Sequence, residues 1–267
     1  MIGAIIGDIV GSRFEWFNHR SKDFELLSPK CFFTDDSVMS LAVCDALMRS
    51  RCNDNDLSKQ AIRSMQKIGR LYPACGYGNS FFRWMYTDDP QPYNSYGNGA
   101  AMRVSGCGYV GRSVEEVKQL SRSVTDVTHN HPEGLKGAEA TATAVFLART
   151  GKSINEIKNY IVKNYYSLDF TIDGIRETYK YNETCQDTVP QALEAFFESI
   201  DFEDAIRNAI SVGGDSDTLA AITGSVAEAY YGVPTSIRKR AITFLDERLL
   251  EILLKFESRY PAKIEDK

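Results

Sequence analysis

The sequence predicts an all-α fold, and three observations carry that expectation. Apolar residues recur at the spacing of one helical face in segment after segment. Several of those segments open on Ser, Thr or Asp and stop at Gly or Pro, the usual start and stop signals of helices. No stretch shows the apolar–polar alternation of a half-buried strand. At 267 residues the chain can bury a large core. With no Pro/Ser-rich linker, low-complexity tract or internal repeat, one domain over residues 1–267 is expected.

The first helix reads from Ile2, Ile5, Ile6, Ile9 and Val10, with Gly3, Gly7 and Gly11 on adjoining positions. Glycine weakens a helix, so three at four-residue intervals predict another backbone passing close by. Asp8 interrupts the apolar run, and Glu15 follows its end; by itself it reads as an ordinary surface Glu. Residues 17–33 read as loop around Pro29. The second helix opens at Phe33-Thr34-Asp35-Asp36-Ser37 and continues through Val38, Met39, Leu41, Ala42, Val43, Ala46 and Leu47; a third runs from Asp56 to Leu71. From Tyr72 to Gly111 the chain is rich in Gly, Tyr, Asn and Pro and reads as a long functional loop, with a short aromatic helix around Phe81–Tyr86. Within it, Asn94-Ser95-Tyr96-Gly97-Asn98-Gly99 precedes a short helix at Ala100–Val104. This is either a glycine turn or a place where backbone N–H groups meet a phosphate. Arg103 either lends charge to it or pairs with an acid in the core.

Ser113-Val114-Glu115-Glu116 reads as a capping box for a helix ending near Thr125, and Ser153-Ile154-Asn155-Glu156 as a second one. Between them lie Thr128-His129-Asn130-His131 and an Ala-rich helix from Pro132 to Thr150; the two histidines read as hydrogen-bonded loop residues rather than metal ligands. Further helices fit Val189–Ile200 and Phe202–Ser211. Gly213-Gly214-Asp215-Ser216-Asp217-Thr218 then opens an apolar helix bearing Leu219, Ile222, Val226 and Tyr230, which stops at Gly232-Val233-Pro234. A long amphipathic pattern continues through Leu253, and the charged tail from Lys263 reads as frayed.

Two acid-rich helix starts carry the chemistry. Asp at a helix N-terminus is favoured for capping alone, but closely spaced carboxylates also suit a hard divalent cation. If the two helices pack side by side, four carboxylates and two threonine hydroxyls converge. Burying that much charge costs several kcal/mol per ion unless it is neutralised, which a pair of Mg²⁺ or Mn²⁺ ions would do.

Composition narrows the classes. The chain is 43% hydrophobic and 25% charged, an ordinary globular balance, and its net charge of −5 argues against a general electrostatic nucleic-acid binder. Six cysteines (31, 44, 52, 75, 107 and 185) include no C-x-x-C pair and read as reduced. The N-terminus has no basic region before its apolar run, and nothing approaches an uncharged run of about 18 residues. No membrane span and a cytoplasmic location are therefore expected.

Five strings occur in one order: Gly-Asp-Ile-Val-Gly-Ser-Arg-Phe-Glu (7 to 15), Thr-Asp-Asp-Ser (34 to 37), Tyr-Gly-Asn-Gly-Ala-Ala-Met-Arg (96 to 103), Thr-His (128 and 129) and Gly-Gly-Asp-Ser-Asp-Thr (213 to 218). Together they resemble the ADP-ribosylglycohydrolase family, which includes the dinitrogenase reductase activating glycohydrolases, from near Gly3 to about Gly232. The resemblance implies a compact orthogonal many-helix bundle and a hydrolase acting at the anomeric carbon of ADP-ribose. It implies that Thr34, Asp35, Asp36, Asp215, Asp217 and Thr218 hold two divalent ions, Mg or Mn. It also implies that Ser95, Tyr96, Gly97, Asn98 and Gly99 hold the diphosphate and that His129 contacts the ribose side, whereas His131 does not carry over. Glu15 is the candidate for positioning water or handling a proton, with Asp36 as its rival. The implied partner is ADP-ribose or an ADP-ribosylated protein or small molecule. The competing readings are a non-catalytic ADP-ribose-binding module and a metal-dependent nucleotide phosphoesterase. The linkage cut, Mg versus Mn and the oligomeric state stay open.

Overall fold

Helices carry the fold, as the periodicity predicts. The computed structural model describes residues 1–50 and 54–261. It contains α1 (Ile2–Gly11), α2 (Asp35–Arg49), α3 (Asp54–Gly69), α4 (Asn79–Tyr86), α5 (Gly99–Met102), α6 (Ser105–Val110), α7 (Val114–Thr125) and α8 (Pro132–Arg149). These are followed by α9 (Ile154–Asn164), α10 (Ile172–Ile175), α11 (Cys185–Phe197), α12 (Phe202–Ser211), α13 (Ser216–Tyr231), α14 (Thr235–Ala241), a 3-10 turn (Ile242–Phe244) and α15 (Glu247–Arg259). Among the described residues no strand forms; one isolated antiparallel bridge joins Gly97 to Thr184. The tail from Lys263 and Cys52 lie outside the described residues.

At the centre runs α13, buried without interruption from Ser216 to Ala229 and packed on α1, α8, α11 and α12. A helix apolar all round belongs in the interior, and its small residues let neighbours approach closely. The closest neighbour is α1. A Cβ on Gly3 would lie 2.2 Å from the Gly224 carbonyl oxygen, one on Gly7 1.9 Å from that of Ala220, and one on Gly11 2.4 Å from Asp217 Cα. The glycine spacing thus marks a backbone-to-backbone seam.

Four sequence expectations are corrected. Within Tyr72 to Gly111 the expected aromatic helix and the short helix after the glycine loop form as α4 and α5, but a third, α6 at Ser105–Val110, lies where Gly106 and Gly108 read as loop. That helix is buried against α2 and α8, so packing overrides its weak propensity. The C-terminal pattern breaks at Leu245, whose backbone is extended, and restarts at Asp246, whose carboxylate accepts the Leu249 N–H at 2.9 Å. At Ser113 half the capping box is made: Ser113 Oγ accepts the Glu116 N–H, but the Glu116 carboxylate takes the Arg112 N–H instead. The box at Ser153 closes in both directions. The eleventh helix begins at Cys185, four residues before the expected Val189, and ends at Phe197. Four-residue α10 was not anticipated.

An exposed helical Gly→Ala change gains about 1 kcal/mol from propensity. At Gly7 the seam leaves no room, so Gly7→Ala is expected to lose about 3 kcal/mol or more through overpacking. That corresponds to a Tm at least ~6 °C lower in thermal unfolding followed by circular dichroism. An unchanged or raised Tm would contradict the seam.

Candidate active site

The N-termini of α2 and α13 meet at the floor of a cleft of about 480 Å³, within the size range of small-molecule sites. Asp35, Asp36, Asp215, Asp217 and Thr218 line it together with Glu15. The two acid-rich starts are in contact: Thr218 Oγ1 donates to Asp36 Oδ2 at 3.2 Å. Local geometry explains how each side is aimed. Thr34 is the N-cap of α2, its hydroxyl accepting the Asp36 N–H, and Asp35 is held by its own N–H to the Cys75 carbonyl at 2.7 Å. On the other side Gly213 and Gly214 both take φ +73°, a backbone open to glycine, and turn the chain so that Asp215 starts α13. Asn98 Nδ2 donates to Asp215 Oδ2 at 2.6 Å and fixes that carboxylate.

Asp8, read from the sequence as an interruption, organises this junction. Fully buried on α1, it accepts from Thr34 N–H at 3.0 Å, Thr34 Oγ1 at 2.6 Å, Ser37 N–H at 3.0 Å and the Ser37 hydroxyl. Its carboxylate therefore caps α2 from another helix. The Thr34 hydroxyl donates to Asp8 and accepts from Asp36 N, which leaves one lone pair.

Glu15 follows α1 and is carried over the cleft by the loop after it. That loop is pinned to the Gly-Gly turn: Asn18 Oδ1 accepts the Gly214 N–H at 2.9 Å, and Arg20 donates to the Val212 and Tyr179 carbonyls. Glu15, Asp215 and Asp217 each offer a carboxylate oxygen, all within 4.8 Å of one another. Asp36 Oδ1 is buried with no hydrogen-bond partner. An orphaned carboxylate oxygen beside a hard-oxygen set is what a divalent cation would satisfy, so the residues fit a metal site.

The electrostatics agree. Burial first, then the charge of Asp217, pushes Asp8 and Glu15 up to about 7 and raises Asp35, Asp36 and Asp215 well above the usual carboxylate range. Burial, then the Arg103 charge, holds His129 well below the usual imidazole value.

Ser95, Gly97, Asn98, Gly99 and His129 also line the cleft. Tyr96 does not; its ring packs against His131. The amide donors of this loop are partly spent within the protein, Asn94 N on Asn130 Oδ1, Gly97 N on Ser95 Oγ and Asn98 N on the Glu183 carbonyl. The expected row of backbone N–H groups is therefore shorter than the sequence implies. Arg103 lines the cleft without pairing to an acid among the described residues. Trp16, Tyr77, Phe81, Tyr93, Tyr181 and Glu183 line it as well. No sequence signal marked Tyr181 or Glu183, which sit in an irregular stretch; Trp16 and Tyr181 stack at 5.4 Å, with Trp16 72% exposed.

A helical bundle that opens on a carboxylate-rich cleft, with a glycine loop beside the acids, has the build of a hydrolase. The family model of ADP-ribosylglycohydrolase matches residues 1–260. The chain belongs to the ADP-ribosylglycohydrolase family and is a hydrolase of that class. It is 25% identical over 312 residues to a human ADP-ribosylhydrolase ARH3, covering 87% of this chain and 84% of that protein. It is also 25% identical over 264 residues to an ADP-ribosylarginine hydrolase Tri1 of Pseudomonas putida (strain GB-1), covering 87% and 70%. A solved ADP-ribosylglycohydrolase-related protein complex shares the fold, with a TM-score of 0.69 and 23% identity over 98% of this chain and 96% of that one. Among the described residues no helix is long and apolar enough to cross a membrane.

Between their ordinary values of 3.8 and 4.5 and the raised value of about 7, Asp8 and Glu15 hold protons in the folded, metal-free protein that the unfolded chain releases. Their contribution to stability therefore falls as pH rises through that window. A cation bound by the cluster must displace the protons on the carboxylates it contacts, Glu15 among them, so its stabilising effect grows with pH. In thermal-shift measurements the Tm increment from millimolar Mg²⁺ or Mn²⁺ is expected to be larger at about pH 8 than at about pH 5.5. An increment independent of pH would count against the cluster as the binding site.

Proposed function

We propose that this protein removes ADP-ribose from a modified protein or small molecule by hydrolysing the bond at the ribose anomeric carbon. Thr34, Asp35, Asp36, Asp215, Asp217 and Thr218 would hold two divalent ions, Mg²⁺ or Mn²⁺. The observation that carries this reading is the 3.2 Å contact between Thr218 and Asp36, which joins two acid-rich helix starts 182 residues apart at the floor of one cleft. When bound, the ions supply Lewis-acid polarisation of ribose oxygens and an oriented water. Glu15, across from Asp215 and Asp217, positions that water or takes its proton, with Asp36 as the rival acid. The ring of carboxylates stabilises the positive charge that develops at the anomeric carbon in the oxocarbenium-like transition state. Ser95, Gly97, Asn98, Gly99 and His129, which also line the cleft, hold the diphosphate and ribose. The free thiols of Cys31, Cys44, Cys75, Cys107 and Cys185 suit a reducing, cytoplasmic setting.

The test is release of ADP-ribose from defined arginine-, serine- and ester-linked substrates, with and without EDTA. Asp36→Asn and Asp215→Asn are expected to lower turnover on the order of 10²-fold or more. Their helical circular dichroism should persist, because each removes a charge from a mutually repelling cluster. Glu15→Gln is expected to lower kcat about 10²-fold or more while leaving the Kd for ADP-ribose within about threefold. Binding without release would make the protein a reader of ADP-ribose, and release of inorganic phosphate would make it a phosphoesterase. Activity undiminished by EDTA would remove the ions from the reading.

A further inference from the structure

Arg103 is 1% exposed, lines the cleft and has no carboxylate partner among the described residues. Burial lowers its pKa to about 10, so it stays charged near neutral pH. A buried cation without an anion is costly and calls for an account. Its contacts give one. Nη2 donates to Thr128 Oγ1 at 2.6 Å and lies 3.4 Å from His129 Nδ1, and Thr128 Oγ1 is 2.7 Å from the same Nδ1. The guanidinium also sits over the Phe81 ring at 5.6 Å.

A guanidinium donates and never accepts. A proton on His129 Nδ1 would face that cation, whereas a bare Nδ1 offers its one lone pair to the Thr128 hydroxyl at 2.7 Å, with the guanidinium N–H sharing it at 3.4 Å. The second arrangement pairs Arg103 Nη2, the Thr128 hydroxyl and Nδ1, leaving Arg103 Nε unpartnered, and it places the ring proton on Nε2. That atom lies 3.6 Å and 3.5 Å from where side chains at Gly97 and Gly99 would begin, beside the glycine loop, and has no protein partner among the described residues. Tyr93, its ring centroid 5.9 Å away, is a second titratable group against the imidazole.

We propose that Arg103 is a positioning residue that, directly and through Thr128, fixes His129 as the Nε2–H tautomer and so presents one constant donor to an oxygen of ADP-ribose. The donor role rests on the reading of the cleft given above; the tautomer does not. Because a protonated ring would need Nδ1–H beside a guanidinium, the donor stays neutral and its geometry stays the same across the working pH range.

Long-range ¹H–¹⁵N correlation spectra of histidine-labelled protein test this, the three histidines being assigned with a His129→Gln variant. In the wild type, His129 is expected to show the Nε2–H pattern without titrating from about pH 8 to about pH 5.5, and its Nε2 resonance is expected to move on adding ADP-ribose. In Arg103→Met the ring is expected to populate both tautomers and to titrate within that window. KM should rise about threefold to tenfold, the worth of one hydrogen bond, while kcat changes less than threefold. Arg103→Lys, which keeps the charge, should restore the tautomer in part. A wild-type His129 protonated on Nδ1, or one that titrates in this window, overturns the proposal even if Arg103→Met fails to fold. So does an Arg103→Met protein with an unchanged tautomer. A correct tautomer whose Nε2 resonance ignores ADP-ribose counts against that ligand in the cleft and leaves the hold of Arg103 on His129 intact.

Discussion

The contact between the backbones of α1 and α13 is the constraint on which the rest depends. With no side chain at Gly3, Gly7 or Gly11, α1 lies directly on Gly224, Ala220 and Asp217. Protein interiors deform little, so this seam acts as a ruler. It presses the C-terminal end of α1 against the first turn of α13, which leaves Asp8 within reach of the start of α2. Once Asp8 caps α2 through Thr34 and Ser37, the two acid-rich starts have little freedom but to face one another.

That arrangement stores like charge. Helix N-termini, the Asn98 amide and the Thr and Ser hydroxyls each favour a carboxylate locally. They do not neutralise the set, and burial pushes its members toward protonation. Arg103, the one Arg or Lys among the described residues lining the cleft, makes its hydrogen bonds to Thr128 and His129 rather than to an acid. The cleft thus holds both the clustered carboxylates at the starts of α2 and α13 and, from the glycine loop and its neighbours, Asn98, Arg103 and the His129 imidazole.

Much of this was legible before any coordinates. Caps and apolar spacing located most helices, because those signals are local and repeat every turn. The α6 helix was hidden because glycines that loosen an isolated helix also let Gly106 and Gly108 sit tightly against Leu47 and Val145. The break at Leu245 was hidden because an amphipathic pattern can run through a 3-10 turn without changing phase. Asp8 looked like a flaw in an apolar helix, since a capping partner 26 residues away leaves no mark on its neighbours.

By itself the sequence determined the helical class, the two acid-rich starts, the close approach along α1 and the likeness that named a family. These depend on residue type and short spacing. Only the tertiary structure decided that Asp8 caps α2, that Asn98 holds Asp215, that Tyr96 turns outward, and that Arg103 faces His129 instead of an acid. Each of those pairings joins residues far apart along the chain, and long-range partners are chosen by how helices pack, a quantity no local pattern encodes.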